Sequence, residues 1–178
     1  LYSYFDAQMN DARLVIENVI DAESLGAVML NHARLDQVTS FHDGEERWKI
    51  GWQCGVTRTQ HSSRARFLLN LSGPWAPQVH QLIEPWPSAW PQPIYSRGTH
   101  LLFDIPWEGP GLILPTGEPG RYYFVLPYFS ACGGGTLVGT TDHQSSANED
   151  DPTAPESEIN ELLEYLARDL PHSRLEKK

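Results

Sequence analysis

With 178 residues the chain has room for one sizeable domain or two small ones. Its 13 Lys and Arg against 23 Asp and Glu leave a formal net charge of −10, a surface that repels nucleic acid and anionic membranes. The two cysteines, Cys54 and Cys132, lie outside any CxxC or Cys/His spacing, and no apolar run approaches the ~20 residues of a membrane span. Zinc chemistry, thioredoxin-type redox chemistry and integral membrane segments therefore have no support.

Residues 1–9 are aromatic and irregular. Asn10 or Asp11 offers an N-cap, and Leu14, Val15, Asn18, Val19 and Leu25 recur at helical spacing up to Gly26, which predicts a helix over 11–26. The apolar run 27–30 reads as a short buried strand. From residue 33 the period moves towards two. That predicts strands over 33–41, 47–56 and 64–71, with turns at 42–46 and 59–63 and a tight-turn signal at Asp43-Gly44.

Ser72 can cap, and Pro74 suits the first turn, of a helix running to about Ile83. Residues 84–93 carry four prolines in ten and form an extended connection. Strands follow over 94–105, 111–116, 121–129 and 136–141, with glycines 133–135 as a flexible turn. Thr153 and Glu156 make a capping box that opens a helix over 156–170, with Ile159, Leu162, Leu163 and Leu166 as its apolar stripe. The basic tail, 172–178, is expected to fray. The fold class is α+β, with a largely antiparallel sheet and flanking helices.

None of the seven histidines falls in a metal-binding pair, so no metal site is expected. GxSxG, Walker A and GxGxxG patterns are all absent. One local arrangement does suggest chemistry. In "SRGTH", Arg97, Thr99 and His100 surround a glycine just before an apolar strand, and a guanidinium, a hydroxyl and an imidazole can receive an anionic, hydroxylated ligand. The plainer alternative is a surface arginine beside a histidine satisfied by a carbonyl.

The motifs "DARL" (11–14), "NLSGPWA" (70–76), "RGTHLLF" (97–103) and "YYFVLPYFSACGGGTLVGTTD" (122–142), in that order, resemble the FAD-dependent glycerol-3-phosphate dehydrogenase family. That family belongs to the flavin oxidoreductases that include D-amino acid oxidase. The resemblance runs from about Asp11 to Leu170, and "GTTD" after an "FVLP" strand is its most specific part. It implies the middle of a longer enzyme that oxidises sn-glycerol 3-phosphate to dihydroxyacetone phosphate with hydride transfer to FAD. This chain would be most of the substrate-binding, or cap, domain.

The resemblance further implies a division of the chain. Residues 1–32 would be borrowed from the FAD-binding domain, 33–65 would form a β-meander, 66–83 would touch the FAD domain, and 84–178 would be the substrate sheet and last helix. His100 would face the substrate and help take its hydroxyl proton, with Arg97 and Thr99 as weaker substrate contacts. Ser72, Gly73 and Pro74 would form the turn passing close to the dinucleotide. Leu71 departs from the family's usual small residue there. The missing FAD-binding domain would be the main partner, and the piece alone would bind no FAD and be inactive. The two cysteines in unrelated contexts point to a reducing, cytoplasmic setting, and any membrane association of the parent enzyme would be peripheral, at the inner membrane. Related activities on a 2-hydroxy acid or an amine, and a free-standing β-rich binding module, remain as alternatives. Thr140, Thr141 and Asp142 are expected to shape the rim of the site by satisfying turn backbone.

Overall fold

Alternating apolar and polar residues in each half of the chain organise two compact units, Leu1–Trp90 and Pro91–Lys178. The computed structural model describes residues 3–43, 46–84, 93–130, 133–145 and 153–175. Among these, no helix is long and apolar enough to cross a membrane.

In the first unit, helix α1 spans Asp11–Ser24. The Asn10 side chain caps it by accepting from Arg13 N at 2.9 Å, and Gly26 follows at φ +94°, the left-handed conformation that ends helices. The predicted helix is therefore present, but none of its residues is buried. Residues 27–30 form no strand, and Val28, Met29 and Leu30 lie exposed. Strands β1 (Ala33–Asp43) and β2 (Glu46–Cys54) pair antiparallel out to Asp43 opposite Glu46; Gly44 of the predicted turn lies outside the described residues.

Strand β3 is Gln60–Ala65, earlier than predicted. Its register against β2 sets Trp52 opposite His61, and their rings stack with centroids 4.3 Å apart. The more apolar 66–71 is left outside the ladder, with Phe67, Leu69 and Leu71 exposed. A 3-10 turn at Gly73–Trp75 runs into the short helix α2, Ala76–His80, and strand β4, Ile83–Glu84, pairs parallel with β1. Ser72 makes no side-chain cap. Instead Asn70 folds the turn, accepting from Ser72 Oγ at 2.6 Å and donating to the Ala76 carbonyl at 2.8 Å. Val38 and Ile83 are the buried hydrophobic side chains of this unit among the described residues.

In the second unit the predicted strand 94–105 is two, β5 (Tyr95–Arg97) and β6 (His100–Phe103). The break falls at Gly98, where an added Cβ would come within 2.0 Å of Thr140 Oγ1. Strands β7 (Leu112–Pro115), β8 (Tyr122–Ser130) and β9 (Gly133–Gly139) join β6 in an antiparallel sheet ordered β6-β9-β8-β7, and β10 (His143–Ser145) pairs with β5. Glycines 133–135 belong to β9 rather than to a turn, since each pairs with a residue of β8.

Helix α3, Glu156–Asp169, carries the predicted stripe, yet the capping box does not form: Pro155 is the N-cap and no side chain caps the helix. Tyr123, Val125, Val138, Leu162 and Leu166 make the core, and Leu175 of the expected frayed tail joins it. Fully burying each of the aliphatic members contributes about 1.5–3 kcal/mol. Pairing sets Leu101, Val138, Val125 and Leu112 in one row beneath α3, so the alternate residues face the other side. On that side Leu102, Ile113, Tyr122 and Phe124 are exposed.

Candidate active site

Strand pairing positions His100 on the face of the sheet that α3 does not cover. It lies opposite Gly139, which in turn lies opposite Phe124. Gly139, at φ +151°, offers no side chain, and an added Cβ would sit 2.7 Å from His100 Cδ2 and 2.8 Å from the Thr99 carbonyl oxygen. The imidazole therefore occupies the space that any other residue would fill. His100 itself is exposed.

Arg97 and Thr99 turn to a different partner. Both donate to Glu158 in the first turn of α3: Arg97 Nε to Oε1 at 2.8 Å and Thr99 Oγ1 to Oε2 at 2.6 Å. Thr141 Oγ1 also donates to Oε2, at 2.9 Å, and accepts from Thr99 N at 2.9 Å. Thr141 N returns a bond to the Thr99 carbonyl at 3.3 Å. Glu158 is 3% exposed. Burial alone would raise its pKa, but the bonds from Thr99, Thr141 and Arg97, with the arginine charge, hold the carboxyl below its ordinary value. The structure thus brings Arg97 and Thr99 together on one carboxylate and leaves His100 on the open face beside them.

A concavity of about 700 Å³ opens next to this knot, with Arg97, Thr140, Thr141 and Phe124 on its wall. Its other wall holds groups that the sequence reading passed over. Arg121 pairs with Asp142 and, at 3.2 Å, with Glu118. Tyr165 OH donates to Glu161 Oε1 at 2.7 Å, while Glu161 Oε2 lies 2.7 Å from His143 Nε2. Burial first, then the bond to Glu161 and its charge, push the Tyr165 phenol up to about 12, so it stays a donor at neutral pH. Arginines, hydroxyls and carboxylates together make the concavity polar, suited to a hydroxylated ligand rather than an apolar one. The signal for Arg121 was its place immediately before the "YYFVLP" strand; Glu161 and Tyr165 gave none, being polar residues on a helix. Thr140, Thr141 and Asp142 do shape this rim: Thr140 Oγ1 donates to the Thr141 carbonyl and Thr141 Oγ1 accepts from Thr99 N, while Thr141 also reaches Glu158 and Asp142 pairs with Arg121.

Ser72, Gly73 and Pro74 lie in the first unit. Gly73 has φ +57°, and an added Cβ there would meet nothing within 4 Å, so the backbone is open to approach. Leu71 and Trp75 flank it, both exposed. No cluster of metal-ligating side chains occurs among the described residues.

A family model for FAD-dependent oxidoreductases matches residues 1–177. The chain belongs to the FAD-dependent oxidoreductase family. The chain is 32% identical over 168 residues to the mitochondrial glycerol-3-phosphate dehydrogenase SDP6 of Arabidopsis thaliana, a match covering 92% of the chain and 25% of that protein. It is 29% identical over 176 residues to the alpha-glycerophosphate oxidase of Enterococcus casseliflavus, covering 97% and 28%. With the D-erythritol 1-phosphate dehydrogenase of Brucella abortus it shares 28% over 167 residues, covering 94% and 32%. The fold is similar to that of the glycerol-3-phosphate dehydrogenase from Bacillus halodurans complexed with FAD, at a TM-score of 0.73 and 23% identity over 95% of this chain and 33% of that one. The FAD-dependent oxidoreductase chain thus spans about a quarter to a third of the length of these relatives.

Proposed function

We propose that this chain is the substrate-facing part of a flavoenzyme that oxidises sn-glycerol 3-phosphate to dihydroxyacetone phosphate. Residues 84–178 would act as the cap, and 1–32 and 66–83 would complete the layer of an FAD-binding domain lying elsewhere in the polypeptide. The exposed apolar side chains of α1 and of 66–75 support this assignment, because each lacks a covering neighbour within its own unit. The observation that carries the functional reading is His100, an exposed imidazole held over a bare glycine on the open, apolar face of the cap sheet.

Oxidation of a secondary alcohol removes a proton from oxygen and a hydride from carbon. Bound FAD supplies the acceptor for the hydride. His100 accepts the hydroxyl proton at its open ring edge, and its exposed position leaves room for the carbinol to approach. Phe124 and Leu102, on the same face, exclude water around the reacting carbon once that face is covered. Arg97 and Arg121, in the concavity beside Phe124, hold the phosphate end. The open backbone at Ser72, Gly73 and Pro74 would let a dinucleotide approach closely, since Gly73 carries no side chain and nothing lies within 4 Å of its Cβ position. The isolated chain, without a dinucleotide fold, would be inactive. The full protein would sit in the cytoplasm or peripherally at the inner membrane.

The Brucella relative favours a second reading of substrate alone, a longer polyol phosphate in the same site. Steady-state turnover by the full-length, FAD-loaded protein decides between them when glycerol 3-phosphate, erythritol 1-phosphate and a 2-hydroxy acid are compared. Failure to oxidise either polyol phosphate would sink the assignment.

A further inference from the structure

We propose that Glu158 is the positioning residue for His100, acting through Thr99 and Thr141 from the first turn of α3. The inference rests on the reading of His100 given above. Three observations combine.

The Glu158 carboxylate is buried yet fully engaged, with Oε1 taking Arg97 and Oε2 taking both threonine hydroxyls. Those two threonines flank different strands. Thr99 immediately precedes His100 on β6, and Thr141 follows Gly139 at the end of β9. The two residues also bond to each other in both directions, Thr99 N to the Thr141 hydroxyl and Thr141 N to the Thr99 carbonyl.

The two strand ends are pressed together there to an unusual degree. A Cβ on Gly98 would meet the Thr141 carbonyl at 2.7 Å, and one on Gly139 would meet the Thr99 carbonyl at 2.8 Å. Such contact has no slack, so a small shift of either strand end moves the imidazole. Glu158 fixes that contact from below, and its anchor is a helix whose remaining inward residues, Leu162 and Leu166, are locked in the core. The position of the first helical turn favours the negative charge that the three donors require. A carboxylate that looks like one more surface acid in the sequence thereby sets where the reacting ring lies. It touches neither the proposed substrate nor the imidazole.

The test uses the full-length protein loaded with FAD and glycerol 3-phosphate. Glu158→Leu keeps the volume and removes the acceptor. It is expected to lower kcat by about 10- to 100-fold, as loss of an orienting partner does, with bound FAD unchanged, while the release of Arg97 shifts KM separately. Glu158→Gln keeps one oxygen for the two threonines and is expected to recover a large part of that loss. Leu162→Ala is the control for mere destabilisation. If it lowers kcat as much as Glu158→Leu at matched thermal stability, the positioning role is refuted. A wild-type kcat in Glu158→Leu refutes it as well. Should Glu158→Leu not fold, Thr141→Val removes the hydroxyl linking the carboxylate to β6, and an unaltered kcat there overturns the proposal. His100→Asn separates the two ideas: undiminished turnover in that variant defeats the reading of His100 itself, whatever Glu158 does.

Discussion

Replacing Gly139 with alanine tests the geometry around His100 directly. The new methyl would lie 2.7 Å from His100 Cδ2, so the ring must retreat by about 0.7 Å to reach an ordinary 3.4 Å contact. It cannot do so by rotation alone, because the same methyl also meets the Thr99 carbonyl at 2.8 Å, and backbone does not yield as a side chain does. The φ of +151° adds strain for any non-glycine residue, on the order of 1–3 kcal/mol. Displacements approaching 1 Å at a reacting group cost up to about 100-fold in rate. Gly139→Ala is therefore expected to slow flavin reduction by glycerol 3-phosphate about 10- to 100-fold, followed by stopped-flow bleaching of the flavin in the full-length protein. The midpoint of thermal unfolding should fall by several degrees. A folded, FAD-containing variant that reduces its flavin at the wild-type rate would refute the argument that the bare glycine seats the histidine.

Four further outcomes are expected. His100→Asn should lower kcat by about 10²–10⁴ with FAD content intact, read by steady-state turnover. Leu162→Ala, at a fully buried core position, should cost about 2–5 kcal/mol, seen as a lower denaturant midpoint at unchanged slope. Because the Glu158 carboxyl titrates below its ordinary value in the folded chain, its stabilisation is present above the usual carboxylate range and is lost as pH falls through the depressed folded value. Thermal unfolding followed down through that range should show the gap between wild type and Glu158→Gln closing with acidity, and a constant gap would contradict the assignment. Ile16→Glu combined with Ile20→Glu should leave the isolated chain's stability within about 0.5 kcal/mol, both positions being exposed, while lowering the unfolding temperature of the full-length protein.

The two long helices were legible because each has an apolar stripe or a cap that works locally: Asn10 for α1, and Leu162 with Leu166 for α3. What escaped the sequence depended on distant partners. The strand expected at 64–71 moved to Gln60–Ala65 because pairing with β2 and the Trp52–His61 stack outweighed the greater hydrophobicity of Phe67 and Leu69. Gly98 splits the strand at 94–105 only because residues 140 and 141 come up against it. Of the candidate site, "SRGTH" was the right neighbourhood, but Arg97 and Thr99 could not be separated from His100 without seeing Glu158, a residue 58 positions from His100 in the chain. Leu175 gave no hint of burial, since a lone leucine in a charged tail has no period to read.

Helix α1 has hydrogen bonds and a cap but no covered side, and in water a helix of 14 residues is only marginally stable on its own. Within this chain the unit Leu1–Trp90 leaves Leu14, Ile16, Ile20 and Val28 without a cover of its own. The other unit closes its own interior around Tyr123 and Leu162. An apolar helix side left bare in this way adheres to other chains until something covers it, so Leu14, Ile16 and Ile20 belong to the part of the molecule most prone to aggregation.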